Sequence, residues 1–173
     1  GNIYVTGITN ASINASNLTS NLDFNSLDTV LTGEDAFVAK YDSTGRRLWS
    51  NTLRTNSDDY SRGIAIDRSG NVYITGETAG VLPSGSLPAN TNAGGVDAFV
   101  AKYSSNGVFQ WTNQFGTAGN DQSQGIAVDS LGDVYLAGET FRTSGGQDSQ
   151  GFVAKYDGNG RLLLQQQIGT AQD

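Results

Sequence analysis

The 173-residue chain contains no cysteine, no histidine and no methionine. The lack of cysteine excludes a disulfide scaffold and a thiolate metal site, and it leaves the cellular compartment open. The lack of histidine removes the commonest general acid–base side chain, and the chain has no G-x-S-x-G nucleophile motif. Any catalysis or metal binding would therefore depend on carboxylates.

Positive charge and long apolar runs are also scarce. The chain has 10 basic and 17 acidic residues and a net charge of −7, and its basic residues are scattered, with Arg46 and Arg47 as the only adjacent pair. The longest uninterrupted apolar runs are about four residues, such as residues 36–39. The sequence therefore predicts no nucleic-acid partner and no membrane-spanning segment.

Glycine is abundant, with 23 residues, and much of it belongs to internal repeats. The first motif reads GNIYVTGIT, GNVYITGET and GDVYLAGET, beginning at Gly1, Gly70 and Gly132. The second reads DAFVAKYDSTG, DAFVAKYSSNG and GFVAKYDGNG, beginning at Asp35, Asp97 and Gly151. A third element, GIAID or GIAVD, begins at Gly63 and Gly125. Recurrence in a fixed order indicates a repeat architecture.

Each unit reads as four short strands, which we label A to D. In the second unit they cover residues 63–67, 71–77, 98–104 and 108–115. β-Branched and aromatic residues dominate the strands, and tight turns with aspartate first and glycine last join A to B and C to D. All length variation falls between strands B and C, in the loops 8–34, 78–96 and 140–150.

Strand D alternates between apolar and polar positions. One predicted face carries Arg47, Phe109 and Leu162; Trp49, Trp111 and Leu164; Asn51, Asn113 and Gln166; and Leu53, Phe115 and Ile168. A half-solvated outer strand in a four-stranded unit is typical of a β-propeller blade. We predict an all-β propeller segment with blades at 1–53, 63–115 and 125–169, the first without its innermost strand.

The segments DAFVAKYDSTGRRLW and GIAIDRSGNVYITGET, with their copies, resemble the bacterial SBBP-type β-propeller repeat and, more distantly, NHL repeats. The resemblance implies a propeller of about seven blades, of a kind common in secreted or surface bacterial proteins. We therefore expect an extracellular or cell-surface location. The resemblance implies little about activity, because propellers host many functions.

Three blades are fewer than the four to eight that close a propeller ring. We therefore expect either an excerpt of a longer propeller or a protomer whose ring is completed by another chain. The partners would be further blades of the same chain or a second protomer. The inner edge of residues 2–7 should be unpaired, or paired with a strand from elsewhere.

The long loops should cluster at one end of the blades, and that end is the candidate surface for binding a protein or a glycan. The alternative is that these loops merely tolerate insertions. The first loop contains three N-x-S/T sequons within residues 10–19, which we interpret as a polar loop rather than as glycan sites.

Four carboxylates are candidate ligand-binding residues at this end. Glu77 and Glu139 follow strand B, while Asp59 and Asp121 lie at matching positions before strand A. With Asp58 and its counterpart Asn120, the two aspartates could bind Ca²⁺, although no D-x-D-x-D-G loop is present. Capping of the loops explains Asp59 and Asp121 equally well, and no other cofactor is expected.

Two further sets of repeated residues have structural interpretations. Lys40, Lys102 and Lys155 recur in strand C, and we expect them to pair with Asp67 or Asp129 near the hairpin ends. The indoles of Trp49 and Trp111 should pack between blades, with Leu164 in the third position.

We therefore predict a non-enzymatic propeller module that displays a loop-rich end for binding. The alternatives are a propeller hydrolase or lyase that uses carboxylates at the rim, and a purely structural spacer of a surface protein.

Overall fold

Short antiparallel strands joined by tight turns make up the computed structural model, which describes residues 1–10, 33–141 and 149–169. Within these residues there are eleven strands and no helix. The first sheet contains Ile3–Thr9 (β1), Asp35–Tyr41 (β2) and Arg47–Leu53 (β3). The second contains Asp59–Ile66 (β4), Val72–Thr78 (β5), Asp97–Tyr103 (β6) and Phe109–Phe115 (β7). The third contains Asn120–Val128 (β8), Val134–Phe141 (β9), Ser149–Tyr156 (β10) and Leu162–Ile168 (β11).

The three sheets are propeller-like blades, as predicted, and we call them blades I, II and III. Every blade is a meander in which each strand pairs with the next along the chain. The strands β1, β4 and β8, which begin the three sheets, lie side by side where the blades converge. In the described part of the chain β1 pairs only with β2, so its other edge is unpaired, as predicted.

Strand A is longer than predicted. It begins at Asp59 in blade II and at Asn120 in blade III, four and five residues before the predicted starts. A β-bulge interrupts the pairing with strand B at Arg62 in blade II and at Gln124 in blade III, and each strand A continues beyond it. The glycine opposite each bulge has no room for a side chain, because a Cβ on Gly76 would overlap the carbonyl oxygen of Tyr60.

Aspartate and glycine shape the tight turns, as expected. In four of the described turns, aspartate Oδ1 accepts N–H bonds from the residues two and four positions later; these aspartates are Asp42, Asp67, Asp129 and Asp157. The closing glycines, such as Gly45 and Gly107, have φ angles of +84° and +82°. Side chains rarely adopt this conformation, so the turns favour glycine.

A second bulge corrects the face predicted for the start of strand D. Tyr103 pairs with Phe109 and Lys102 with Trp111, so Gln110 is the extra residue of the bulge. Because of this bulge Phe109 and Trp111 point to opposite sides of blade II. Phe109 stacks edge-on against Tyr103 with ring centroids 5.6 Å apart. The prediction that these two aromatic residues share a face is therefore wrong. Arg47 and Leu162 occupy the position of Phe109 in blades I and III, and the same bulge places them on the opposite face from Trp49 and Leu164.

The hydrophobic core lies between blades rather than within one. We call the side of a blade that faces the next blade in sequence its forward face, and the opposite side its rear face. The forward face of blade I packs on the rear face of blade II through Val38, Leu53, Ile74 and Phe99, among others. The forward face of blade II packs on blade III through Tyr73, Val100, Trp111, Leu136 and Phe152, among others.

The loop between strands B and C of blade II folds back along the outer edge of β7. Ser86 N–H donates to the Gln110 carbonyl (3.1 Å), and Thr112 N–H donates to the Ser84 carbonyl (3.2 Å). Residues 80–92, which we call the strap, thus cover this outer edge. Its Leu82 is buried in the core between blades I and II, and Leu87 packs against the core between blades II and III.

The strap corrects the prediction that loop 78–96 is displayed at the loop-rich end. The remaining long segments, 11–32 and 142–148, lie outside the described residues, and so do two of the three sequon asparagines, Asn14 and Asn17. None of the described residues forms a helix long and apolar enough to cross a membrane.

Candidate binding surface at the loop-bearing end

The strands bring the candidate residues of the sequence to one end of the blades. Strands B and D finish here and strands A and C begin here, whereas the tight turns lie at the other end. We call the first the loop-bearing end and the second the turn end. In the described residues the loop-bearing end contains 33–34, 54–58, 92–96 and 116–119.

Asp59 and Asp121 are buried, with 0% and 3% of their surface exposed. The Asp59 carboxylate accepts the Thr55 N–H (2.5 Å) and the hydroxyls of Thr55 and Thr78. Asp121 likewise accepts the N–H (2.6 Å) and the hydroxyl (3.0 Å) of Thr117. Both aspartates fasten the loop that enters strand A, and the Thr78 bond ties Asp59 to strand B as well.

Asp58 and Asn120 connect neighbouring blades. The Oδ1 of Asp58 accepts the Glu34 N–H (3.0 Å), and the Oδ1 of Asn120 accepts the Val96 N–H (3.2 Å). In return the next residue donates its N–H to the same partner, Asp59 to the Glu34 carbonyl (2.6 Å) and Asp121 to the Val96 carbonyl (2.7 Å). Aspartate and asparagine are interchangeable here because each supplies one acceptor oxygen.

Sequence reasoning missed Asp35 and Asp97, which begin strand C in blades I and II. Asp97 is fully buried, and its Oδ2 accepts the Ala93 N–H and the Gln114 amide, each at 2.9 Å. Its Oδ1 is buried without a hydrogen-bond partner in the described structure, as is Oδ2 of Asp35. Asp97 and Asp121 approach each other closely, since a Cβ on Gly116 would meet a carboxylate oxygen of both.

Burial raises the pKa of Asp35, Asp59 and Asp97 above the ordinary value of an aspartate. For Asp97 the cause is burial first, with the Asp121 charge adding to it, while the bonds from Ala93 and Gln114 oppose the shift. Burial likewise raises the pKa of Asp35 and of Asp59. The only feature of the sequence that points to Asp35 and Asp97 is that two copies of the second motif begin with aspartate, where blade III has Gln150.

The two glutamates differ in their surroundings. Glu77 is 2% exposed and forms a bidentate ion pair with Arg62 of the neighbouring strand. Glu139 is half-buried, and the residue at the position of Arg62 in its blade is Gln124. The structure therefore does not bring Glu77 and Glu139 into one shared site, because each belongs to its own blade.

Lysine and tryptophan fasten each blade to the next. Lys40 Nζ and Trp49 Nε1 both donate to the Ser105 carbonyl, at 2.9 and 3.1 Å. Lys102 Nζ donates to the Gly158 carbonyl at 2.6 Å, which is the matching turn of blade III. Lys102 and Asp67 attract each other electrostatically, as do Lys155 and Asp129, in line with the expected pairing. The direct bond of Lys102 is nevertheless to the next blade, and the ion pair of Lys155 is with Asp133.

The side-chain oxygens at this end do not by themselves form a cation site. Within residues 1–10, 33–141 and 149–169 no three acidic groups are grouped so that they could hold a metal ion. Calcium prefers six to eight oxygen ligands, whereas Asp58, Asp59, Asn120 and Asp121 already accept N–H or O–H bonds. We therefore expect these four side chains to serve the structure rather than a calcium ion.

Comparison with known proteins supports the repeat architecture. Residues 54–83 and 110–140 match the family model of the SBBP β-propeller repeat, which confirms the resemblance inferred from the sequence. The chain is 29% identical over 157 residues to an uncharacterized WD repeat-containing protein of Acanthamoeba polyphaga mimivirus, covering 75% of the chain. It is 28% identical over 153 residues to the regulatory protein FlaEY of Caulobacter vibrioides, covering 80% of the chain.

These relatives are much longer than the chain. The matched region spans 11% of the mimivirus protein and 16% of the Caulobacter protein. The similarity therefore concerns only a part of each relative.

Proposed function

We propose that this chain, a set of SBBP-type β-propeller blades, is a non-enzymatic scaffold that binds a protein at its loop-bearing end. The names of the relatives, a WD repeat-containing protein and a regulatory protein, favour an interaction module over an enzyme. A glycan is the alternative ligand at the same surface.

One observation carries the proposal: the carboxylates on which catalysis would depend serve the structure. Asp59, Asp121 and Glu77 are at most 3% exposed and are bonded to neighbouring threonines or to Arg62. A hydrolase needs an acid and a base within reach of a bound substrate. Buried and bonded carboxylates do not meet that need, so binding accounts better for this end than catalysis.

The side chains that remain exposed at the loop-bearing end suit a protein partner. Arg54, Asn56, Asp58 and Arg62 are exposed at this end, and Asp58 and Arg62 neighbour the half-buried Tyr60. A hydrogen bond with Glu34 raises the pKa of the Tyr60 phenol to about 12, so the ring is neutral at physiological pH. Arginine and tyrosine are enriched among the residues that dominate binding energy at protein interfaces.

Added charge at matched positions tests the proposal. Asn56 and Ala118 are exposed at equivalent places in the loop-bearing end, whereas Ser69 and Leu131 are exposed at equivalent places in the turn end. The double variant Asn56→Arg, Ala118→Arg should lose protein capture from an extract of the source cells. The control Ser69→Arg, Leu131→Arg adds the same charge and should retain it.

The readout is quantitative mass spectrometry of proteins captured by immobilised wild type and both double variants, with a glycan array run in parallel. Equal capture by the two double variants would contradict the proposal, and so would capture lost only in the turn-end variant. Binding on the glycan array without any captured protein would favour the glycan alternative. Retention of thermal stability in both variants shows that the change concerns the surface.

A further inference from the structure

We propose that the forward face of blade III docks a second copy of this chain through the rear face of that copy's blade I. This self-association does not depend on the proposed binding function, because it uses the sides of the blades rather than the loop-bearing end. The contact would repeat the interface that already joins blade I to blade II and blade II to blade III.

The repeated interface is built on one turn of the following blade. Lys40 and Asn51 donate to the carbonyls of Ser105 and Gly107, at 2.9 and 2.8 Å. At the next junction Lys102 and Asn113 donate to the carbonyls of Gly158 and Gly160, each at 2.6 Å. The two junctions thus use the same donors and the same acceptor positions.

An indole completes each contact. A Cβ on Gly107 would lie 2.7 Å from the ring of Trp49, and a Cβ on Gly160 would lie 2.9 Å from the ring of Trp111. The glycine therefore lets the turn lie flat against the indole of the preceding blade. Such close packing explains why this glycine serves the interface as well as the turn.

The forward face of blade III carries the same kinds of residue, yet it is open in the described structure. Tyr135, Val153, Lys155, Leu164 and Gln166 take the places of Tyr73, Val100, Lys102, Trp111 and Asn113. Tyr73 is fully buried, whereas Tyr135 is 41% and Leu164 51% exposed. An open apolar groove of about 520 Å³ is lined by Tyr135, Val153, Lys155 and Leu164, among others.

The lysine of blade III is positioned as its counterparts are. Lys155 Nζ lies 5.0 Å from the centre of the Tyr135 ring, and Lys102 Nζ lies 5.3 Å from that of Tyr73. Instead of a turn carbonyl, Lys155 contacts Asp133 at 2.7 Å. Docking would offer it the Ser43 carbonyl of the second copy, which corresponds to Ser105 and Gly158.

The rear face of blade I offers the complementary surface. Ile3 and Val5 are 51% and 39% exposed, whereas their counterparts Val72 and Ile74 are fully buried against blade I. Nothing lies within 4 Å of a Cβ on Gly45, although its turn and its φ angle match those of Gly107. Blade I thus presents a glycine turn that no indole covers.

The two surfaces differ from each other, so the contact is head to tail rather than symmetric. Heterologous contacts continue into rings or open filaments, depending on whether the rotation closes. The chain should therefore form assemblies larger than a dimer as its concentration rises.

Three glutamate substitutions at exposed leucine or valine positions test the proposal. Leu164→Glu alters the forward face of blade III, and Val5→Glu alters the rear face of blade I. Leu131→Glu is the control, because Leu131 lies at the turn end and is 85% exposed. Sedimentation velocity over a range of concentrations measures association, and circular dichroism checks the fold of each variant.

We expect wild type and Leu131→Glu to associate with rising concentration. Each of the other variants should associate at least about tenfold more weakly, because docking would bury an unpaired charge. An equimolar mixture of Leu164→Glu and Val5→Glu should form dimers and nothing larger, since one intact copy of each face remains. A wild type that is monomeric throughout would overturn the proposal, as would a mixture that behaves like the separate variants.

Discussion

At the scale of single residues, aspartate serves two structural purposes that the sequence alone does not separate. In the turns its Oδ1 accepts two backbone N–H groups, as Asp67 does from Ser69 and Asn71. Before strand A it fastens a loop, as Asp121 does through Thr117. The turn aspartates remain at the surface, whereas Asp97 and Asp121 are buried side by side and therefore repel each other when both are charged.

We expect Asp97→Asn to stabilise the chain at neutral pH. Burial and the Asp121 charge raise the pKa of Asp97 above 3.8, so the folded state holds this proton more tightly than the unfolded state. Stability from Asp97 is then fully present below pH 3.8 and is lost as pH rises through the folded-state pKa. An asparagine amide keeps the bonds to Ala93 and Gln114 and can donate to Asp121.

Urea unfolding at pH 7 and at pH 4 measures this effect. The variant should gain roughly 1 kcal/mol at pH 7, and the gain should shrink at pH 4, where the wild-type carboxyl is more protonated. A variant that is less stable than wild type at pH 7, or a gain that grows as the pH falls, would contradict the explanation.

Added Ca²⁺ should leave the melting temperature unchanged. The carboxylates before strand A already accept bonds within the chain, so no set of free oxygens is prepared for the ion. Differential scanning calorimetry with millimolar Ca²⁺ and with EDTA provides the measurement. A rise of several degrees that disappears in Asp121→Asn would show that these residues bind calcium.

At the scale of elements, the strap is held by side-chain hydrogen bonds in addition to its two backbone bonds with β7. The Asn90 amide donates to the carbonyls of Leu82 (3.1 Å) and Thr112 (3.2 Å), and its Oδ1 accepts the Gln114 N–H (3.1 Å). The Gln114 side chain in turn accepts the Leu82 N–H (3.0 Å). Two side chains thus hold the strap along the outer edge of β7.

Asn90→Ala should release the strap from this edge. The substitution removes three hydrogen bonds and should lower the free energy of unfolding by about 1–3 kcal/mol. Limited proteolysis with mass spectrometry should then find cleavage within residues 80–92, faster than in wild type. Asn92→Ala is the control, since the bonds of Asn92 to carbonyls are longer, at 3.3–3.5 Å. Equal cleavage of both variants would argue against this role of Asn90.

Other elements differ in how far the sequence predicted them. The blades followed from repeated strands and turns, because aspartate, glycine and alternating apolar residues act locally. The opposite faces of Phe109 and Trp111 did not follow, since the bulge at Gln110 has no distinctive residue. The strap was missed because its proline and glycine resemble those of an open loop, and its bonds lie about 30 residues away along the chain.

At the scale of the whole molecule, the repeated residues join neighbouring blades, and the proposed partner would bind at the loop-bearing end. The sequence placed Asp59, Asp121 and Glu77 correctly near this end, because strand order determines where each strand begins. The structural role of Asp58 and Asn120 could not be predicted, because both bond to residues of another blade. The same holds for Lys40 and Lys102, whose acceptors lie in the next blade.

Alanine substitution of two matched glycines tests most directly that the repeated residues join the blades. Gly45 and Gly107 occupy the same turn with φ angles of +84° and +82°, so alanine introduces the same backbone strain at both, about 1 kcal/mol. Only Gly107 lies against an indole, that of Trp49. Urea unfolding at low protein concentration should show that Gly107→Ala loses about 1–3 kcal/mol more than Gly45→Ala, because its Cβ separates blades I and II. Equal losses in the two variants would contradict the account.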